Sequence, residues 1–398
     1  MATDALDKID PRKLGQNLKL ARDQRGLRQE DAAKVIDVAR TTLTAIEQGK
    51  RRITIDELIK LAEAYGRTVG DFVRPRPVAR EFRVQFRGPS RAVDLEQARI
   101  SFSEDEFQEL CRDYLELEEI MDAALVRRYP PEYRIEGLSA DRAGEGVATQ
   151  ERNRLGLGDG PLPIVRIILE QDVGLRIFYM QFADSTFSEM YYYDDELGGC
   201  LAINKNHPEE RRRWSLAHGY AHFLVHRFQP AVYLEGGYQR EQFADFFAKY
   251  FLMPTSGLTR HYNNLLQSRS KPTVGDLCVL ANYYGVSLSA LVRRLEDLGV
   301  APGGTWERLR DRGFRVREAQ EQLGLPPIPE QSQLLPLRYQ YLAVEAFEER
   351  KLSEGMLAKF LRVDRLEARR ITRVLSEHTS DITQEALIDF NIEESVEV

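Results

Sequence analysis

The sequence predicts an α+β protein that is mostly helical, with a five-helix N-terminal bundle, a mixed central domain and a small helical C-terminal region. Helical spacing of apolar residues runs through residues 12–73 and returns over 338–375. Between them, residues 164–203 contain short runs with the alternation typical of strands. A chain of 398 residues ordinarily folds as two or three domains of ~100–200 residues. We therefore place domains at 8–76, 156–300 and 301–398, with a linker that carries a packing or dimer helix over 77–155.

Composition argues against membrane proteins and disulfide-rich secreted proteins. Hydrophobic residues make up 42% of the chain and charged residues 30%, which suits packed cores under a solvated surface. No apolar run approaches the ~20 residues that span a bilayer, and the polar start MATDALDKID is not a signal peptide. Cys111, Cys200 and Cys278 are far apart and form no CxxC pair, which fits a reducing compartment. We expect a cytoplasmic protein with no membrane contact.

Charge is unevenly distributed along the chain. Residues 1–76 carry 16 Lys+Arg and 12 Asp+Glu, a net charge of +4. The whole chain has a net charge of −7, so the remainder carries −11. A basic head on an acidic body predicts that the head alone meets a polyanion.

The head has the pattern of a helix, a tight turn and a second helix. Asp37 stands at the turn, where a left-handed backbone is needed and Asp is among the few residues that tolerate one. Thr54 and Glu57 form a capping box that opens a later helix. The predicted helices are 12–25, 29–36, 40–48, one beginning after Thr54, and a last one that includes Val69, Phe72 and Val73.

This geometry lays the second helix of the pair in the major groove of DNA. The residues of that helix left facing outward are short or basic, as contact with bases and phosphates requires. A glutamine opens the preceding helix, where it can hold a phosphate, and three basic residues follow the second helix. The candidate DNA-binding residues are Gln29, Arg40, Thr41, Thr42, Thr44, Lys50, Arg51 and Arg52.

The string LRQEDAAKVIDVARTTLTAIEQGKRRITIDELIKLAEAYG resembles the Cro/C1-type, or XRE-type, helix-turn-helix. The resemblance implies a λ-repressor-like bundle that docks on duplex DNA as a homodimer. It also implies that Arg40, Thr41 and Thr44 read bases and that Gln29 contacts a phosphate. The alternative is a helical bundle for protein contacts, but the exposed face is polar and basic rather than apolar.

The central domain carries a candidate zinc shell. His218 and His222 stand at i, i+4 on a predicted helix, which puts two imidazoles on one face, and His226 continues that face. Glu241 opens another helix with a buried stripe. Two histidines and a distant carboxylate make a zinc shell with one open position.

These segments resemble the ImmA/IrrE-type metallopeptidase family over residues 160–300, which implies a zincin-like domain. The family pairs an HExxH helix with a strand ending in Asn, an Arg-rich turn and an ExxAxxFAxxLLMP helix. The matching segments here are LAIN (201–204), the three arginines at 211–213, and the helix from Glu241 to Pro254.

The sequence departs from that family at Gly219, in HGYAH, where the family has the glutamate that serves as general base. General acid–base catalysis contributes about 10²–10⁴-fold, so a peptidase without that group should be weak. Three alternatives stay open: a metal-binding but catalytically weak domain, a metal-free relic, and an active peptidase with a substitute base. Glu235 and Asp245 are the candidate substitutes.

Other segments carry weaker expectations. A packing or dimer helix is expected over 101–129, and a loop-rich connector over 299–335. Helices capped at Ser353 and at Asp364 are expected near the C-terminus. Several arginines there suggest either a second DNA-binding element or a peripheral helical lid or partner surface. His207 and His261 are expected at the surface. Strands are expected at 164–169, 173–180, 190–194 and 200–203, and two helices over 273–297.

The sequence thus predicts a sequence-specific DNA-binding transcription regulator, a repressor in our interpretation, whose metallopeptidase-like body senses a small-molecule effector or a protein partner. One rival is a zinc-dependent endopeptidase that cleaves a repressor. The other is an antitoxin-like protein that binds a partner. Gly219 favours the regulator over the peptidase.

Overall fold

The computed structural model divides the chain into two compact units, Met1–Phe82 and Arg83–Val398, which we describe separately. It describes residues 10–25, 27–65, 69, 72, 85–87, 96–182, 186–228, 237–268, 271–328 and 333–385.

The first unit is a helical bundle with its own apolar core. Asp10 caps α1 by accepting a hydrogen bond from the Arg12 N–H, and Thr54 and Glu57 exchange the hydrogen bonds of the predicted capping box. Leu18, Leu43 and Leu58 are fully buried at the centre. Only Val69 and Phe72 of the predicted fifth helix lie within the described residues. The helices are α1 (Pro11–Gln24), α2 (Gln29–Val35), α3 (Arg40–Glu47) and α4 (Ile55–Tyr65).

The second unit is built around a mixed four-stranded sheet in the order β1-β3-β4-β2. Strands β2 and β4 are parallel, and the other two pairs are antiparallel. Both β2 and β4 are buried along their whole length, because a helix covers each face of the sheet. The strands are β1 (Gln85–Arg87), β2 (Arg176–Met180), β3 (Glu189–Asp194) and β4 (Gly198–Asn204).

Two helices cover the sheet from opposite sides. Helix α5 (Glu96–Ile120) places Phe107 and Tyr114 edge-on against Phe178 of β2. Helix α8 (Glu209–His226) contacts β3 and β4. It passes over Leu201, which is paired with Ile177 and therefore faces away from the Phe178 side. Three further helices complete this part: α6 (Ala140–Arg154), α9 (Gly237–Leu252) and α10 (Thr255–Ser268).

Three sequence expectations were wrong in detail. The strand expected at 164–169 is helical: α7 (Val165–Ile167) continues as a π-helical turn, Ile168–Val173. Val165, Leu169 and Val173 bury one face of it, and a short apolar run does not distinguish a strand from a buried helix by periodicity. The helix expected over 101–129 ends at Ile120. The connector over 299–335 contains two short helices, α13 (Thr305–Asp311) and α14 (Val316–Gln322).

The C-terminal helices follow the predicted pattern. Ser353 and Asp364 cap the second and third helices of the last bundle, as expected. No single helix in the described ranges is long and apolar enough to cross a membrane. Helices α11 and α12 pass that test only as a pair, and they are bent by 103° at their junction. The bounds are α11 (Val274–Tyr284), α12 (Leu288–Asp297), α15 (Leu337–Glu348), α16 (Glu354–Leu361) and α17 (Arg365–Glu385).

Candidate functional site

Helices α2 and α3 form the predicted helix-turn-helix. Asp37 has φ +53°, the left-handed conformation that the sequence required of it. Its N–H donates to the Lys34 carbonyl at 3.2 Å, and the Val38 N–H donates to the Ala33 carbonyl at 3.0 Å. Leu43 and Ile46 anchor α3 in the core, so the opposite face of this helix points outward.

A buried charge pair fixes α3 against α1 and α2. The Arg22 guanidinium donates to both carboxylate oxygens of Glu47, at 2.6 and 3.2 Å, and the Gln29 amide donates to the same carboxylate at 2.9 Å. The hydrogen bond to Glu47 raises the pKa of Arg22 above its ordinary value. We did not predict this network, although Glu47 continues the buried stripe of Leu43 and Ile46. An acid on a core stripe requires a buried basic partner.

The outward face of α3 carries the predicted reading residues. Arg40 and Thr41 are exposed, and Thr42 and Thr44 are half-buried. The Gln29 amide oxygen lies 3.4 Å from both Arg40 Nε and Thr44 Oγ1, so one side chain links the face to the buried pair. Arg40 is also 3.7 Å from Glu30, with both side chains largely exposed. An exposed ion pair of this kind is weak and can exchange for a phosphate.

The basic residues after α3 divide into two roles. Arg51 donates to both carboxylate oxygens of Glu57, at 3.1 and 2.9 Å, and Glu57 also accepts from the Thr54 N–H. Arg51 therefore stabilises the start of α4. Lys50 and Arg52 are exposed. Of the three basic residues predicted to contact phosphates, these two stand on the open surface.

A glycine that our sequence reasoning missed allows α3 to lie close to α1. A Cβ at Gly15 would collide with the carbonyl oxygens of Ile46 and Glu47. Because backbone cannot move aside as a flexible side chain can, only glycine fits this crossing. Gly15 directly follows the buried Leu14, and this position next to the core was the sequence feature that could have indicated a close helix contact.

In the second unit, His218, His222 and Glu241 come together as predicted. Their ligand atoms all lie within 4.8 Å of one another. Glu241 Oε2 is 3.4 Å from His218 Nε2, and Glu241 Oε1 is 3.4 Å from His222 Nε2. A tetrahedral zinc ion with bonds of ~2.0–2.1 Å separates its ligand atoms by roughly 3.3 Å, so this donor set fits the ion in chemistry and spacing.

Strand β3 supplies a partner for the first histidine. His218 Nδ1 lies 2.6 Å from Glu189 Oε1, and both side chains are almost fully buried. A carboxylate that accepts from Nδ1–H leaves the Nε2 lone pair facing the site, as metal-binding histidines require. We did not predict Glu189, because it lies 29 residues before His218 and is brought close by sheet packing.

The second histidine is oriented by a third. His222 Nδ1 is 3.3 Å from His226 Nδ1, and burial lowers the pKa of His226 to about 3, so this imidazole is neutral. Burial raises the pKa of Glu241, but the His218 and His222 imidazoles beside it outweigh that effect, so the net shift is downward. Glu241 is therefore ionised, as a metal ligand must be.

The space around Gly219 is already filled. A Cβ there would lie 2.5 Å from Leu201 Cδ2 and 3.4 Å from Glu189 Oε1. Of the two candidate substitute bases, Glu235 lies outside the described residues. The other, Asp245, has its Oδ1 3.7 Å from His218 Nε2.

A groove of about 960 Å³ lies next to the triad, because one of its lining residues, Asp245, is 3.7 Å from His218 Nε2. It is lined by both tryptophans of the chain, Trp214 and Trp306, together with Phe246 and charged side chains of both signs such as Lys249. Its size is within the ~300–1,000 Å³ typical of small-molecule sites.

Two further histidines, His207 and His261, were expected at the surface, and for His207 this was wrong. His207 is 7% exposed and lies three residues after the end of β4. His261 is half-buried, and its Nδ1 lies 2.9 Å from the Tyr284 hydroxyl. Of the predicted Arg-rich turn, Arg213 is buried and donates to the carbonyls of Pro163 and Gly285. That arginine is a packing clamp between α8 and its neighbours.

Comparison with known families supports both units. A helix-turn-helix family model matches residues 18–72, and the IrrE N-terminal-like domain model matches residues 170–296. No curated protein matches the sequence. A solved structure of Bacillus thuringiensis PlcR in complex with the peptide PapR7 and DNA aligns at 13% identity, covering 94% of this chain and 99% of that one. Its TM-score of 0.17 is too low for any inference about this molecule.

Proposed function

Because this chain is a DNA-binding transcription regulator in which a Cro/C1-type helix-turn-helix is fused to an ImmA/IrrE-like domain, we propose that it represses transcription at a specific operator. We further propose that it binds as a homodimer to two half-sites about one helical turn apart, the spacing that this motif uses. The body then adjusts DNA binding in response to an effector.

The observation that carries this proposal is the outward face of α3. Arg40, Thr41 and Thr44 stand on that face, while the Arg22–Glu47 pair and Gln29 hold the helix rigid behind them. Rigid support of this kind positions base-reading side chains. Lys50 and Arg52 lie just beyond α3, where they can neutralise phosphates.

Footprinting and titration with the selected operator test the proposal. We expect a palindromic site, and Arg40→Ala should weaken binding to it by roughly 1–3 kcal/mol while affecting non-operator DNA much less. Lys50→Ala should weaken binding to the operator and to non-operator DNA by similar factors. Lys60→Ala, which removes an exposed charge from α4, is the matched control. If Arg40→Ala and Thr44→Ala together leave operator affinity at the wild-type value, α3 is not the reading helix.

We also propose that His218, His222 and Glu241 hold one zinc ion. The matched distances and the Glu189 hydrogen bond support this. Bound zinc would supply a positive charge and a Lewis acid beside the groove. Metal analysis should find one equivalent in the wild type and none in His222→Ala. His261→Ala, at a half-buried histidine outside the triad, should retain the metal. If wild-type protein from cells grown with ample zinc contains no metal, only the alternative of a metal-free relic remains.

The groove beside the triad is our candidate effector site. Both tryptophans line it, so a small molecule that enters should change the intrinsic fluorescence. Trp306→Phe should remove part of that response without altering DNA binding in the absence of effector. If an effector changes operator affinity but does not change the fluorescence, and Trp306→Phe has no influence on its effect, the effector site lies outside the groove.

A zinc-dependent endopeptidase is the second candidate function, and the position of Asp245 is the observation that favours it. Its carboxylate lies 3.7 Å from His218 Nε2, within one bridging water of the triad. This function requires chelator-sensitive cleavage of a repressor, lost in Asp245→Asn. We favour the regulator, because the residue after His218 is glycine.

A further inference from the structure

The C-terminal bundle repeats the geometry of the DNA-binding head. Helices α16 and α17 are joined by a three-residue turn whose first residue, Arg362, has φ +57°, matching Asp37 at +53°. The Arg362 N–H donates to the Lys359 carbonyl at 3.2 Å, and the Val363 N–H donates to the Ala358 carbonyl at 3.1 Å. Every donor and acceptor lies 325 residues after its counterpart in the head, where Asp37 and Val38 make the same two bonds.

The side chains follow the same offset. Ala358 and Leu361 occupy the buried positions of Ala33 and Ile36, and Ala368 occupies that of Leu43. In both bundles a preceding helix packs nearby: α1 against α3, and α15 against both α16 and α17. A three-helix unit of this kind is the minimal helix-turn-helix fold.

Turn geometry alone is not diagnostic, because the α11–α12 junction has it too. Gly285 there has φ +63°, and its N–H and that of Val286 make the equivalent bonds. The difference is what the second helix exposes. Helix α12 buries most of its first two turns, including Leu288, Leu291 and Val292, so it serves as a packing layer. Helix α17 instead leaves its first turns open to solvent.

The exposed face of α17 is strongly basic. Residues 350–373 contain eight Lys or Arg and three Asp or Glu, a net charge of +5 in a chain of −7. From residue 377 to the C-terminus there are seven acids and no Lys or Arg, so the basic charge is confined to the start of α17. The exposed residues of this face are Arg365, Leu366, Arg369, Arg370 and Arg373.

The body holds this helix pair with its basic face outward. Arg362 pairs with Asp113 at 2.8 Å and with Glu109 at 3.3 Å on α5, and the Tyr339 hydroxyl donates to the Phe360 carbonyl. Arg369 and Arg370 pair with Glu354 and Glu367, but the two arginine side chains are 66% and 77% exposed. Such exposed pairs are weak and exchange readily for phosphate.

We propose that the first turns of α17, with Arg365, Arg369, Arg370 and Arg373, bind the phosphates of duplex DNA, as a second DNA contact in addition to that of the head. From Arg365 to Arg373 the helix rises ~12 Å, which matches the ~12 Å width of the major groove. The counterpart positions in the head are Arg40, Thr44, Ala45 and Gln48, so the second element has exchanged short reading residues for arginines. It therefore binds DNA of any sequence, and the head supplies specificity.

The salt dependence of binding to a non-operator duplex tests this with the full chain. Each phosphate contact contributes about 0.9 to the slope of log affinity against log salt concentration. Replacing the four arginines of α17 by alanine should lower that slope by up to ~3.6 and weaken binding about eightfold per lost contact at 0.1 M salt. The matched control replaces four exposed arginines of α13, α14 and their junction: Arg310, Arg312, Arg315 and Arg317.

The control removes the same number of positive charges from the same unit. If both variants lose the same amount of slope and affinity, net charge alone explains the effect, and the proposal is overturned. An unchanged slope in the α17 variant would overturn it as well. Arg40→Ala should leave the α17 contribution intact, because it acts on the head alone. The outcome is therefore separate from that of the operator test.

A cross-linking measurement needs no arginine variant and so does not depend on how that variant folds. All three native cysteines are buried, so Leu366→Cys, at a residue that is 77% exposed, introduces a single accessible thiol for a photo-reactive label. We expect cross-links to duplex DNA that excess unlabelled duplex removes. The control is Leu323→Cys, a 45% exposed position on the turn after α14. No cross-link from Leu366→Cys, equal yields from both positions, or competition only by single-stranded RNA would overturn the proposal.

Discussion

Replacing Glu47 by alanine tests whether the buried charge pair holds α3 in place. Glu47 and Arg22 are 4% and 5% exposed and share two hydrogen bonds. Removing one partner of a buried pair costs about 3–5 kcal/mol, because the other charge stays buried without compensation. Gln29 also loses an acceptor, which adds roughly 1 kcal/mol. At about 4–8 °C per kcal/mol for a unit of this size, we expect its Tm to fall by roughly 16–48 °C.

Circular dichroism melting of the unit Met1–Phe82, which has its own core, measures the change. The matched control is the double variant Arg22→Met with Glu47→Leu, which removes both charges and keeps the volume apolar. Because no unpaired charge remains, this variant should recover most of the lost stability. A loss below about 1 kcal/mol in Glu47→Ala would refute the reasoning. So would a double variant as unstable as the single one.

Three further outcomes follow from the structure. Glu189→Gln should lower zinc affinity by about 10–100-fold in a competitive chelator titration, whereas Glu196→Gln, at an exposed acid, should not change it. Burial raises the pKa of Glu57, but hydrogen bonds from Arg51 and Thr54 bring it below its ordinary value. The ionised carboxylate therefore stabilises the head above about pH 4.3, and that stabilisation is lost as the pH falls below this value. Glu57→Gln should make the free energy of unfolding in urea less dependent on pH in this range. Gly15→Ala should destabilise the head by more than about 1 kcal/mol, since the backbone of α3 blocks the added methyl; a neutral result would mean that the helices separate freely.

Local rules predicted the head well because its contacts are short in sequence. The stripe Leu14, Leu18 and Ala21, the turn at Asp37 and the Thr54–Glu57 capping box each depend on neighbours within one or two turns. The stripe of α1 continues at Arg22, and the stripe formed by Leu43 and Ile46 on α3 continues at Glu47. The Arg22–Glu47 pair was not predicted, because the stripes were traced through apolar residues alone. A charged residue on a buried stripe is also informative, because a buried charge requires a partner of opposite charge.

The candidate metal site was predictable only in part. The i, i+4 histidines and the distant glutamate were identified from spacing and family resemblance, and the structure brings them together. Glu189 was not predicted, and Asp245 was named only as one of two substitute bases, because each reaches His218 through strand–helix or helix–helix packing that no local pattern encodes. The short apolar run at 164–169 was assigned to a strand for a related reason: burial on α8 and the sheet, rather than periodicity, decides its conformation.

Gly219 decides whether one substitution can make this domain a peptidase. A glutamate there would bring its Cβ to 2.5 Å from Leu201 Cδ2 and its charge near the buried carboxylate of Glu189. We therefore expect Gly219→Glu to lose stability and zinc without gaining proteolysis, and the wild type to show negligible chelator-sensitive turnover against a repressor substrate. Gly219→Ala adds the same Cβ without the charge, so its smaller loss isolates the steric part. Robust chelator-sensitive cleavage by the wild type would show that another group, with Asp245 the nearest carboxylate, serves as base, and the endopeptidase would become the better account.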